Sequence, residues 1–224
     1  MNIDINKLEK EIKDYKTNFF SSWNDEKYKW EAVSWFQSHW DIKSPDFTQM
    51  LKTSLSKTQN LLGAQHYFPR RMIKNFAMVA PEDVRKMFID LYNEHIPLSD
   101  RIYKFIKESD FILEKYKSTW RNHFQDYRTI STYLWLRYPE RYYIFKPREF
   151  SRVSQILNTS YTFKKGATPN TVLQAYELYN EIKWILQQDT ELKAMLSDVL
   201  TRTPNCDPDL ELTNYYCRFS ILLR

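Results

Sequence analysis

The chain has 224 residues, 42% hydrophobic and 27% charged, which is enough apolar material for a real core in a soluble-type composition. Only two glycines are present, which all but excludes a Gly-rich nucleotide loop and a hairpin-rich β fold, since both lean on residues free to adopt φ > 0. The net charge of +5 is unevenly spread, and two cysteines (Cys206, Cys217) are too few for a disulfide framework.

Taken in chain order, Ile5, Leu8, Ile12, Tyr15 and Phe19 repeat at helical spacing and predict a first amphipathic helix. The stretch 24–40 predicts a second helix, heavy in Trp and Tyr and assigned to the core. Ser44-Pro45-Asp46 reads as an N-cap, a proline at the first helical position and an acidic first turn, opening a helix that ends near Gly63. Pro69, Pro81, Pro97, Pro147 and Pro169 each open a further helical pattern, because a proline lacks only an N–H that would have no intrahelical partner there. Asp126 or Thr129 is a candidate cap for a helix through Arg137, and Asp189 for the helix that follows it past Leu192. Tyr142 to Phe145 is the best strand candidate, with Tyr215 to Leu223 as a candidate partner. The expected fold is mainly α: a single multi-helix domain over 1–224 with a minor short β element, and 169–224 as a candidate C-terminal subdomain. No hydrophobic leader and no run of about 18 apolar residues is seen, so a cytoplasmic location without a membrane partner is expected.

Signatures of catalysis are weak. No Walker-type phosphate loop and no G-x-S-x-G is present. None of His39, His66, His95 and His123 has a second His or Cys within zinc-ligand spacing. Glu11-Ile12-Lys13 and Glu181-Ile182-Lys183 match half of a nuclease motif, but inside helical patterns their alternate residues do not share a face. The expectation is a chain that is not itself an enzyme and takes no cofactor or metal.

Charge gives the sharper signal. Between Phe111 and Asn170 there are 11 Lys and Arg against 4 Asp and Glu, and 14 of the 37 aromatic residues lie in the same stretch. The remainder of the chain is slightly acidic. Such a stretch suits phosphate attraction and base stacking. Arg121, Arg128, Arg137, Arg141, Lys146, Arg148, Arg152, Lys164 and Lys165 are the candidate phosphate contacts, with Arg70 and Arg71 as an added track. Trp120, His123, Tyr142 or Tyr143 are candidates to stack on a base. The competing readings place Trp135 and Leu134 in the core, leave the arginines as a solvated face, and make His123, Gln125 and Asp126 a buried network or cap. The candidate nucleic-acid-binding set is therefore Arg70, Arg71, Trp120, Arg121, His123, Gln125, Arg128, Tyr142, Lys146, Arg148, Lys164 and Lys165.

The segments YKWEAVSWFQSHWDI (28–42), SKTQNLL (56–62), WRNHFQDYRTISTYLWLRYPERYYIFK (120–146) and KKGATPNTVLQAYELYNEI (164–182) together resemble the N-terminal region of McrB-like AAA-type restriction proteins. The resemblance runs from about Tyr28 to the end of the chain. It implies a DNA-recognition module of a defence system, reading DNA that is often modified. It also implies an AAA motor domain in the parent protein and a nuclease subunit as partners. Nothing in the chain matches the nucleotide-binding part of that family. A protein-docking module for a partner subunit, and a small-molecule or nucleotide sensor with a Tyr- and Trp-lined pocket, are the alternatives.

Overall fold

The computed structural model describes residues 3–116, 120–161 and 167–207. Among these, eleven helices follow one another: α1 (Ile5–Thr17), α2 (Phe19–Glu26), α3 (Tyr28–His39), α4 (Phe47–Ser54), α5 (Pro69–Val79), α6 (Pro81–Leu91), α7 (Leu98–Tyr116), α8 (Tyr127–Arg137), α9 (Pro147–Ile156), α10 (Pro169–Leu186) and α11 (Thr190–Arg202). The mainly helical expectation holds. Local chemistry explains most helix starts. Prolines occupy the first turn of α5, α6, α9 and α10. Asp126 and Asp189 cap α8 and α11 by accepting the N–H of Thr129 (3.0 Å) and of Leu192 (2.9 Å). Thr168 and Thr171 form a reciprocal capping box on α10.

Three expectations need correction. The first two helical patterns are cut into three helices, with breaks at Asn18 and Lys27, so Phe19 and Trp23 turn inward on their own short segment. The α4 cap is Asp46, not Ser44. Its carboxylate accepts the Gln49 N–H (2.9 Å), leaving Pro45 outside the helix, and α4 stops at Ser54 rather than near Gly63. Tyr142 to Phe145 joins no ladder, and the described residues hold only one isolated bridge, Ala64 to Tyr67. All four residues are buried. Their backbone finds other partners: the Phe145 N–H donates to Ser131 Oγ (2.9 Å), and the Tyr143 carbonyl accepts from the Tyr176 hydroxyl (2.8 Å). The proposed partner strand, 215–223, lies outside the described residues.

One core cluster runs from Ile3 to Leu200, and the helices of 169–207 contribute to it alongside the rest. At its centre lies α8, in which every residue from Thr129 to Leu136 is buried. A helix enclosed on all sides loses its polar stripe. Its hydroxyls turn back on the helix, Ser131 and Thr132 both donating to the Arg128 carbonyl (2.9 and 2.8 Å). Around it, α3 packs on α4 and α8, and α4, α5, α6 and α7 pack in sequence. Each of these helices is a near neighbour of the next in the chain. That ordering places α5 beside the segment that leads into α8.

Candidate nucleic-acid interface

The segment 120–126 is fastened to the start of α5. Gln125, fully buried, donates from Nε2 to the Pro69 carbonyl (3.0 Å) and to the His123 carbonyl (2.8 Å), while its Oε1 accepts from the Tyr133 hydroxyl (2.9 Å). Phe124 meets the rings of Tyr67 and Phe68 edge-on, at 5.8 and 5.9 Å between centroids. Phe124 takes φ 56°, a left-handed backbone that a bulky residue seldom adopts. Its N–H donates to Asn122 Oδ1 (2.7 Å) and its carbonyl accepts from the Thr129 hydroxyl (2.9 Å), so hydrogen bonds at both ends hold that conformation. Trp120 leans on Phe76 of α5, 5.8 Å between ring centroids.

Tyr67 ties the same corner to α8. Its hydroxyl donates to Asp126 Oδ1 (2.8 Å) and lies 2.6 Å from the Thr129 hydroxyl oxygen. Burial, reinforced by the Asp126 carboxylate, pushes the Tyr67 phenol well above its ordinary value, so it remains a donor. The Arg128 guanidinium lies 5.0 Å from the centroid of the Tyr67 ring, and its Nε is buried without a partner. His123 accepts the Gln125 N–H at Nδ1 (2.8 Å), which assigns its proton to Nε2, facing Asp110 Oδ1 (3.1 Å).

Seven of the twelve sequence-predicted residues thus lie on the two pieces joined at this corner: Arg70 and Arg71 on the first turn of α5, and Trp120, Arg121, His123, Gln125 and Arg128 on residues 120–128. Their parts differ. Arg71 and Arg121 are exposed and pair with no carboxylate among the described residues. Arg70 donates to the Ser56 carbonyl (3.2 Å). Trp120 and His123 are half-buried. Gln125 has no free surface and serves as the clamp that holds the segment down, which is the buried-network reading.

The other five do not join this corner. Tyr142 is buried, its hydroxyl accepting from Arg101 Nη2 (2.9 Å) and donating to Glu94 Oε1 (2.9 Å), so its ring is not a free stacking surface; Tyr143 is likewise buried. Lys146 is held by Glu149 (2.6 Å), and Arg148 is exposed on the first turn of α9. Lys164 and Lys165 lie outside the described residues. Of the remaining arginines in the basic stretch, Arg141 pairs with Glu94 and Glu140, Arg137 covers the Tyr138 ring, and Arg152 is exposed.

Sequence reasoning missed Phe68, an exposed ring beside Phe124 at the mouth of α5, and two lysines, Lys74, which feels the charge of Arg70, and Lys52, which also acts on Lys74. For Lys74 the signal was available: Arg70 and Lys74 are like charges four residues apart on one helix, a repulsive spacing. Two clefts lie elsewhere. One of about 610 Å³ runs between α1 and α11, lined by Lys16, Asp189 and Glu191 among others. The second, about 430 Å³, is lined by Trp35, His39, Lys57 and Cys206 among others, and burial pushes the Cys206 thiol up to about 11. Comparison with known protein families, curated proteins and solved structures finds no match for the chain.

Proposed function

We propose that this chain is a DNA-binding module that holds backbone phosphates on the corner formed by α5 and residues 120–128. The observation that carries this reading is the Gln125 to Pro69 hydrogen bond, which fastens the segment bearing Arg121 to the helix whose first turn bears Arg70 and Arg71. Exposed cations without carboxylate partners attract phosphates, and the exposed Phe68 ring beside them offers a face on which a base stacks. In the setting implied by the resemblance, the module belongs to an McrB-like restriction system. An AAA motor and a nuclease subunit are then its partners, and modified DNA is its target.

Fluorescence anisotropy with modified and unmodified oligonucleotides, duplex and single-stranded, at 50 and 200 mM salt tests the proposal. Three phosphate contacts predict an affinity loss of about 40-fold over that range. Phe68→Ala is expected to weaken single-strand binding about tenfold, in line with ~1–3 kcal/mol for a stacked base. Absence of binding to every oligonucleotide, or binding that ignores salt, refutes it.

A second reading, docking of a protein partner, is favoured by Tyr103 and Phe111, which lie two turns apart on α7 and are 59% and 57% exposed. Lys107 and Lys115 lie over these rings, 5.7 Å from each centroid. Tyr103→Ala with Phe111→Ala separates the readings. Unchanged oligonucleotide affinity assigns that helix face to something other than DNA.

A further inference from the structure

The seam between α4 and α5 carries three cations and no counter-charge. The two helices run antiparallel: the Thr48 hydroxyl donates to the Ala77 carbonyl (2.7 Å) near one end, and Arg70 Nη1 donates to the Ser56 carbonyl (3.2 Å) near the other. Lys52 stands one turn on from Thr48 and one turn short of Ser56. The same progression along α5 brings it level with Lys74, itself one turn on from Arg70. None of the three pairs with a carboxylate among the described residues.

Other crowded lysines of this protein are treated differently. Lys86 and Lys104 share Asp90, and Lys16 bridges Asp189 and Glu191. On the seam, partial burial first, then the charges of Arg70 and Lys52, hold the Lys74 ammonium below its ordinary lysine value. Self-repulsion of this kind is relieved by an anion that bridges the groups. A tetrahedral oxyanion matches the need: it accepts from the guanidinium and from two ammonium groups at once, and it brings the opposite charge that the protein omits.

We propose that Lys52, Arg70 and Lys74 form a seat for one phosphate group, which in the DNA-binding reading is a backbone phosphodiester adjoining the Arg71 and Arg121 contacts. The assignment to DNA rests on that reading; the seat itself rests on the seam. The test uses the full chain and follows the side-chain titration of Lys74 by NMR at constant ionic strength, in chloride and then in inorganic phosphate. Phosphate is expected to move the Lys74 pKa back toward the ordinary lysine value. Lys52→Gln and Arg70→Gln are each expected to shrink that shift by at least half, Lys52→Gln while leaving thermal unfolding unchanged. In parallel, Lys74→Gln is expected to reduce the salt slope of oligonucleotide binding by about 0.7–0.9.

A Lys74 titration unmoved by both phosphate and oligonucleotide overturns the seat. An oligonucleotide salt slope that Lys52→Gln and Lys74→Gln leave intact overturns the assignment of the seat to a DNA phosphate, while the DNA-binding face survives. A phosphate-dependent shift with no oligonucleotide binding upholds the seat as a site for free phosphate and removes the DNA reading.

Discussion

Two parts of the basic stretch, residues 120–128 and residues 137–149, are alike in composition and differ in fate, apart from Arg148, which is exposed in the second as Arg121 is in the first. In 137–149, Arg141 meets Glu94 and Glu140, Lys146 meets Glu149, and the Tyr142 ring is spent on a buried network with Arg101. In 120–128, Arg121 finds no carboxylate, and the segment is pressed instead against a helix whose own first turn is doubly basic. Glu140 and Glu149 are local partners, but Glu94 lies 47 residues from Arg141, so a local count of charge misses part of the cancellation. Net charge along a sequence becomes a field at a surface only after the fold has chosen which carboxylates stand nearby.

That contrast is open to attack, and the strongest blow falls on the clamp. Gln125→Ala removes the partner of the Tyr133 hydroxyl and of the Pro69 carbonyl in a dry interior, and is expected to cost ~1–3 kcal/mol by urea denaturation. If oligonucleotide affinity falls with it in the still-folded variant, the anchoring of 120–126 to α5 matters for binding as well as for stability. Next in size is the charge comparison itself. Arg71→Gln with Arg121→Gln is expected to weaken DNA binding about tenfold, whereas Arg141→Gln with Lys146→Gln changes it less than about twofold. Equal losses from the two pairs, measured by anisotropy at one salt concentration, would erase the distinction.

The smallest effect is a control on pairing far from either region. Burial alone would raise the Asp189 carboxyl, but the Lys16 ammonium and the Leu192 N–H outweigh it and hold the group below its ordinary value. A depressed carboxyl contributes stability above its unfolded pKa and loses that contribution as pH falls through the folded one. Lys16→Met is therefore expected to cost ~0.5–1 kcal/mol near pH 7, with the difference from the parent vanishing well below pH 4. Acid titration of the unfolding midpoint measures it.

Helix starts were largely legible, because prolines and capping side chains act within a turn of where they stand. Pro69, Pro81, Pro147, Thr168 and Asp189 all mark their helices as read. The breaks at Asn18 and Lys27 were not, since neither glycine nor proline stands there, and the aromatic residues on both sides suit a longer helix equally well. Tyr142 to Phe145 misled by composition. Bulky aromatics favour strands only where a pleated neighbour exists, and here α8 and α10 supply the contacts instead. For the candidate site, the pieces were visible and their assembly was not. The start of α5 and the segment 120–126 are separate runs until the buried Gln125 amide joins them, and Lys52 reaches Lys74 only through the antiparallel lie of two helices.

The left-handed Phe124 has a kinetic corollary. A residue in that conformation carries a strain of order 1–3 kcal/mol, here borne by folding together with the loss of freedom of its neighbours. In the proposed DNA-binding reading, a strand arriving at this corner would find its footing already cast in shape. Association would then proceed as rigid docking, its rate set by long-range attraction and ionic strength rather than by any slow settling of the protein.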